Sequence, residues 1–240
     1  DKYVSNFTAS DFIVADAGQF QTGGDAYNSE MDVTEDVISA IDAQGGITDG
    51  GLVYGKTSSA LEFVTEEYYR SVWSKWNTPE QLDSKVHFMD RNEEGLLADR
   101  VQLYGMEPFA LDHLTVLEGD LSSLNDPDKN CIAAVYSEDD YGNPEMDSHW
   151  ARLGDTVTIR YVEEFEYYDP ATGEVYGAWD NVPEGAAFAE RAVEYRDVDY
   201  TVAALVSVPS ALSYRYYGAD EFVLGAETFL RDTGTSSLMY

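Results

Sequence analysis

Thr156-Val157-Thr158-Ile159-Arg160-Tyr161 sets Thr156, Thr158 and Arg160 on one side and Val157, Ile159 and Tyr161 on the other. That two-residue period is the signature of a strand with one face buried. The strand is expected to run on to Tyr168. Asp169-Pro170-Ala171-Thr172-Gly173 then supplies turn chemistry, with the glycine placed for a left-handed position, and Glu174–Trp179 reads as the returning strand. Residues 180–190 read as loop. Ala192–Val208 reads as one long strand or a bent pair, ended by Pro209.

Upstream, Cys131–Tyr136 and Leu96–Tyr104 read as strands, as do Val86–Met89 and Ile47–Lys56. Phe12–Ala15 reads as a short apolar strand. Between that strand and Ile47, Asp32 and Glu35 form a capping-box pattern for a helix whose apolar face is Val33, Val37, Ile38 and Ile41, stopped by Gly45-Gly46. The chain therefore opens β-α-β, the unit that makes right-handed crossovers. Thr78-Pro79-Glu80 is a helix start with Pro at the first helical position. Leu61–Trp76 fits strand or helix, and Leu111–Leu124 a short helix or turn followed by a loop. Glu221–Leu224 reads as a strand and Glu227–Arg231 as a helical turn. The class is α+β, with strands outnumbering helices.

Composition narrows the function classes. Aromatics make up 13 % and hydrophobic residues 44 % of 240 residues, so the chain folds rather than forming an acidic tail. Its 46 acidic residues against 14 Lys and Arg give a formal charge of −32. Such a surface repels nucleic-acid phosphates and anionic headgroups and concentrates cations, including cationic peptides. The one cysteine, Cys131, excludes an intrachain disulfide, and within Cys131–Tyr136 it reads as an inert core thiol. The longest apolar run, near Val202–Val208, is too short to cross a bilayer. Asp11-Phe12-Ile13-Val14 at one end and Leu238-Met239-Tyr240 at the other read as the cut ends of an excised segment.

Few patterns carry chemistry. Gly50-Gly51-Leu52-Val53-Tyr54-Gly55-Lys56-Thr57 matches the phosphate-binding loop pattern. Its context is wrong: a turn precedes it, and Leu52-Val53-Tyr54 within it favours a strand, where a cradle of backbone amides is required. His87, His113 and His149 show no zinc-ligand spacing and read as surface residues paired with neighbouring acids. Glu138-Asp139-Asp140-Tyr141-Gly142-Asn143 offers oxygen ligands without the spacing of a calcium loop, and reads as a solvated turn. Glu164 and Glu166 share a strand face, where they would serve acid–base work inside a cleft and would be a charged edge in water. No catalytic, cofactor-binding or metal-ligating residue is assigned.

The order of several short cues resembles the MacB-like core domain of FtsX-type ABC-transporter permeases. The cues are Asp11-Phe12-Ile13-Val14, the Thr34–Ile41 helix, Val53-Tyr54-Gly55, Leu117-Glu118-Gly119-Asp120, Leu153–Ile159 and Tyr200–Val206. Ala204 stands where the family often has glycine. The resemblance implies an extracytoplasmic domain lying between the first two transmembrane helices. It implies two lobes: a porter-like lobe from residues 1–109 plus 209–240, and a smaller β-rich α/β lobe inserted at 110–208. It further implies no catalysis in this domain. A separate ATP-binding domain or subunit in the cytoplasm would hydrolyse ATP, and the permease would handle a peptide, a lipoprotein or another cell-envelope substrate on the outer face of the bacterial plasma membrane. Partners would be the permease's own transmembrane helices and that ATPase. The alternative is a secreted or wall-anchored module that binds glycan or protein, which the many Tyr and Trp side chains suit.

Rejection of the phosphate loop is testable by calorimetry. Mg-ATP is expected to give no binding heat with the wild type or with Lys56→Ala; an affinity lost on Lys56→Ala would reinstate nucleotide binding.

Overall fold

A computed structural model gives the fold and describes residues 35–43, 49–56, 59–139, 141–207 and 220–234. In chain order the elements are α1 (Glu35–Asp42), β1 (Val53–Lys56), β2 (Ala60–Val64), α2 (Glu66–Trp73), α3 (Pro79–Phe88), β3 (Leu97–Met106), α4 (Pro108–Leu111), β4 (Thr115–Gly119), β5 (Cys131–Val135), β6 (Thr156–Tyr168), β7 (Val175–Gly177), β8 (Ala189–Ser207), β9 (Asp220–Gly225) and α5 (Ala226–Thr233). The fold is mixed α+β, dominated by one large sheet with parallel and antiparallel pairs. The expected Phe12–Ala15 strand, the Asp32 cap and the Gly45-Gly46 stop lie outside the described residues.

The sheet closes on itself. β8 pairs with β5, β5 with β9, β9 with β3, β3 with β2, β2 with β6, and β6 again with β8. Closure leaves no free edge along this circuit of six strands. Alternate residues face its interior: Val101 and Leu103 of β3, Phe222 and Leu224 of β9, Ile132 and Ala134 of β5, Val157, Ile159 and Tyr161 of β6, and Tyr200, Val202 and Leu205 of β8. The intervening residues Tyr104, Met106, Ala133, Val135, Ala204, Val206 and Val223 pack outward against Val53, Leu124 and the α4 residues Ala110 and Leu111. The strands from the two segments expected to form separate lobes are thus neighbours in one sheet, sharing one interior.

β8 makes the circuit possible because it uses both edges. On one edge the Thr201 amide donates to the Asn130 carbonyl at 2.9 Å; on the other the Val202 amide donates to the Asp155 carbonyl at 2.9 Å. A bulge beside Val202 shifts the register against β5 and keeps Leu205 facing inward. Beyond the bulge β4 takes over the edge used by β6, with Gly119 opposite Ala204 and the Asp120 amide donating to the Ala203 carbonyl at 3.0 Å.

β6 and β8 continue together past the barrel as a ribbon, from Thr156 opposite Thr201 to Tyr168 opposite Ala189. The expected turn forms at its end: the Gly173 amide donates to the Asp169 carbonyl at 2.8 Å, and Gly173 takes φ +75°. β7 is the short returning strand. Two bulges near Glu164 bend the ribbon, so Phe165 and Ala192 pack with Leu61, Phe63, Ala98 and Val162 on the outer face of β2, β3 and β6. Arg160 anchors this packing. Its guanidinium makes two 2.8 Å bonds to Asp197 and lies over the rings of Tyr195, at 3.7 Å, and Phe63, at 4.8 Å.

Several local expectations change. Val86–Met89 is the end of α3, not a strand: Thr78 and Gln81 complete a capping box, Pro79 starts the helix, and Leu82 and Val86 bury one face four residues apart. Leu61–Trp76 divides between both candidates. β2 ends at Val64, and Thr65 caps α2 by accepting the Tyr68 amide at 3.2 Å. Leu111–Leu124 contains β4, whose side chains are mostly exposed, so it carries little apolar periodicity to read. Gly51 and Leu52 are not strand; Val53–Lys56 is, paired antiparallel with β3, which leaves no phosphate cradle there.

Gly119 is the tightest point of the β4–β8 junction. It takes φ +85°, and an added Cβ would lie 2.3 Å from the Ala203 carbonyl oxygen and 2.6 Å from the Leu153 Cδ1. Gly119→Ala is expected to lower unfolding free energy by about 3–4 kcal/mol, since left-handed strain adds to a backbone clash. Gly173→Ala has the same strain in open space and is expected to cost about 1–2 kcal/mol. Urea unfolding of both variants measures the difference.

Candidate functional site

Three carboxylates occupy one mouth of the barrel. Glu62 on β2 and Asp99 on β3 are direct cross-strand partners, and Asp220 opens β9 opposite Val101. The strand period places Glu62 with Ala60, Asp99 with Val101 and Asp220 with Phe222, all on the inward side. Like charges on neighbouring inward positions are costly unless donors or protons offset them.

The donors come from elements that close the mouth. From α2, the Tyr68 hydroxyl donates to Asp220 at 2.7 Å and the Trp73 indole N–H to Asp99 at 3.1 Å. The indole N–H of Trp150 donates to Glu62 at 2.9 Å. Asp99 also accepts the Arg100 backbone amide at 2.8 Å. Beneath α2 and α3, Val64, Tyr69, Leu82, Val86 and Leu97 form a small apolar cluster that seats the two helices on the barrel.

Protons offset the remainder. Burial, then the charge of Asp220, holds the Glu62 carboxyl well above the usual carboxylate range, and in its neutral form Glu62 is a hydrogen-bond partner of Asp220. Burial likewise pushes Asp99 up to about 6, against the lowering effect of the Trp73 and Arg100 N–H groups. Burial and the Asp220 charge push the Tyr68 phenol up. The arrangement is a cluster of three carboxyl groups tied to aromatic hydrogen-bond donors, with Glu62 buried beneath them.

His149 belongs to the same region, which corrects its expected surface placement. It is buried against the edge of Phe222, with ring centroids 4.7 Å apart, and its Nδ1 accepts the Ala151 amide at 3.0 Å. Nδ1 as acceptor puts the proton on Nε2, which makes no close hydrogen bond among the described residues. Burial lowers its pKa, while Asp220 and the Glu221 backbone act in the opposite sense. His87 is exposed at the end of α3, and His113 bonds the Phe109 carbonyl at 2.7 Å. Tyr54 shows where the phosphate-loop match went: its ring stacks on Phe229 of α5, so that segment packs the core.

The other sequence candidates do not converge on this cluster. Asp139 closes its own turn by accepting the Tyr141 and Asn143 amides at 2.9 and 2.8 Å; Asp140 lies outside the described residues. Glu164 faces solvent, and Glu166 pairs with Arg191. Cys131 is half-buried at the start of β5, its thiol 3.6 Å from the Lys129 carbonyl, so it is less enclosed than a core thiol. Among the described residues no group of three or more His, Cys, Asp or Glu side chains is arranged to hold a metal ion.

A separate groove of about 460 Å³ is lined by Tyr161, Val162, Phe165, Arg196, Arg231 and Asp232. Its polar groups bond one another. Tyr161 and Tyr200 hydroxyls lie 2.8 Å apart, Tyr200 donates to Asp232 at 2.6 Å, and Arg231 donates to both Asp232 oxygens. Burial opposes ionisation of Asp232, but the Arg231 and Tyr200 bonds outweigh it and lower its pKa.

No protein-family model matches the chain, and no curated protein matches it.

The carboxyl cluster fixes the sign of a pH effect. Glu62 and Asp99 bind protons more tightly folded than unfolded, so they stabilise the fold at low pH. That stability falls as pH rises from the unfolded carboxylate range through about 6, the folded value for Asp99. Glu62→Gln keeps an acceptor for Trp150 and removes the titration. Urea unfolding between pH 5 and 8 is expected to show the variant gaining on the wild type as pH rises; a constant or shrinking difference would contradict it.

Proposed function

We infer that this chain is the non-catalytic extracytoplasmic domain of an FtsX-type ABC-transporter permease, coupling ATP hydrolysis by a separate cytoplasmic domain or subunit to handling of a peptide, lipoprotein or envelope substrate outside the membrane. One observation carries the reading. Three segments on which the resemblance rests, Leu117–Asp120, Leu153–Ile159 and Tyr200–Val206, meet at a single junction. Gly119 sits against the Ala203 carbonyl and Leu153, the Asp120 amide bonds Ala203, the Gly154 amide donates to the Val202 carbonyl at 2.8 Å, and Val202 donates to Asp155. Motifs far apart in sequence are thereby parts of one structural unit, as they would be if the family pattern were the reason they are present.

In this reading the membrane spans lie in flanking sequence; among the described residues no helix is long and apolar enough to cross a membrane. The partners are the permease's own transmembrane helices and the ATP-binding subunit, with a cationic peptide as the ligand that the charge of −32 would attract. In this reading the two lobes, residues 1–109 with 209–240 and the inserted 110–208, share one continuous sheet.

Expressed from its natural gene, the protein is expected in the membrane fraction, with this domain cleaved by protease added outside intact cells and an ATP-hydrolysing subunit co-purifying in detergent. Release into the medium, or retention on the cell wall without membrane, would instead support the secreted binding module.

A further inference from the structure

The β6–β8 ribbon ends in an aromatic surface that the described residues leave uncovered. Tyr167, Trp179 and Phe188 contact one another in edge-on pairs, with ring centroids 5.4, 6.1 and 4.9 Å apart. Trp179 is 54 % exposed and Phe188 45 %. The three rings come from separate segments: β6, the short 3-10 helix at Trp179–Asn181, and the residue preceding β8. A mutually packed cluster of rings at a turn-rich tip is a poor use of aromatics for a monomer in water, since exposed apolar patches mark interaction surfaces.

The sequence around it is strongly acidic. Residues 163–194 hold nine acidic side chains, Glu163, Glu164, Glu166, Asp169, Glu174, Asp180, Glu184, Glu190 and Glu194, against one basic residue, Arg191. Arg191 is already paired with Glu166, and Arg100 reaches over from β3 to bond Glu190 at 2.7 Å. Asp180 adjoins Trp179 in sequence, and both Asp180 and Glu184 are exposed. The rings therefore sit on an exposed segment rich in carboxylates.

We propose that this tip is a docking surface for a basic segment of another polypeptide, one that places an aliphatic or aromatic side chain on the Trp179–Phe188 rings and flanks it with Lys or Arg facing Asp180 and Glu184. Charge complementarity selects this occupant. A second copy of the chain would bring a like rim of carboxylates onto this one, and an anionic lipid surface would be repelled by it. The bulges near Glu164 and the Arg160 anchor hold the ribbon against the barrel, so the rings are presented on a braced element, which limits the ordering cost of binding. The inference rests on the reading of this domain as one that engages a partner outside the membrane, and it places that engagement at a named surface.

Calorimetry with three designed amphipathic peptides tests it: one of Lys and Leu, one of Glu and Leu in the same apolar pattern, and one of Lys and Ser. The Lys/Leu peptide is expected to bind, and Trp179→Ala with Phe188→Ala to weaken it by about tenfold or more. Asp180→Lys with Glu184→Lys, which leaves the rings in place, is expected to weaken it comparably. Glu93→Lys with Glu145→Lys, the same charge change elsewhere on the surface, is expected to have little effect. Part of the affinity should persist at about 1 M salt, where the Debye length falls to about 3 Å. Thermal unfolding checks that each variant is folded. Unchanged affinity in the ring variant, equal binding of the Lys/Ser or Glu/Leu peptide, or complete loss at high salt would overturn the proposal. So would sedimentation showing dimers that the ring variant abolishes, which would make a second copy the occupant. Membrane fractionation reads the permease assignment separately, so a failed docking surface leaves that result standing.

Discussion

The two-edged pairing of β8 is the constraint on which the fold depends. A strand that bonds Asn130 on one side and Asp155 on the other can join β5 to β6 and close the sheet. The bulge at Val202 lets the same strand turn its next apolar residues back into the interior and hand its freed edge to β4. Closure encloses Phe222, Ile159, Tyr200 and their neighbours on all sides, and burying each such side chain contributes roughly 1.5–3 kcal/mol relative to exposure. Gly119 follows from the same geometry, because the backbone of β4 must approach β8 where no Cβ fits.

A closed barrel has an inside even at its ends, which explains the carboxyl cluster. Strand alternation turns Glu62, Asp99 and Asp220 inward, Glu62 fully buried and the two aspartates half-buried, so their charge is managed where they sit. Tyr68, Trp73 and Trp150 each direct one N–H or O–H at a different carboxyl group, and retained protons relieve what three donors cannot. Because two of those donors lie on α2, the seat of that helix is tied to the protonation state beneath it.

A chain with so few cations uses its arginines as local ties. Arg160 joins β6 to β8 through Asp197 and is held between two rings, Arg231 joins α5 to Asn130 and Pro127, and Arg152 bonds the Tyr136 hydroxyl and the carbonyl of Ala151. Each planar guanidinium serves several acceptors at once, which Lys could not match with a single ammonium. Much of the acidic surplus is left on exposed faces, the ribbon among them, where self-repulsion costs least.

Features set by a few adjacent residues were legible in the sequence. The alternation at Thr156–Tyr161, the turn at Asp169–Gly173, the helix start at Thr78-Pro79-Glu80 and the strand character of Val53-Tyr54 all follow from backbone preferences that act within one turn or one strand. Ala60-Leu61-Glu62-Phe63-Val64 shows where such reading stops. Every one of its residues is buried, and nothing local says that Glu62 faces an enclosed barrel mouth. His149 is the same case: acidic neighbours in sequence suggested a surface pair, while Phe222, far along the chain, and Tyr136 pack against its ring. Ring closure, the bend of the ribbon, and the meeting of Tyr167, Trp179 and Phe188 were likewise decided only by the tertiary structure. Local preferences determine the shape of a segment, but which of its faces is enclosed depends on long-range strand pairing, and a single sequence carries that pairing only as the sum of all its segments.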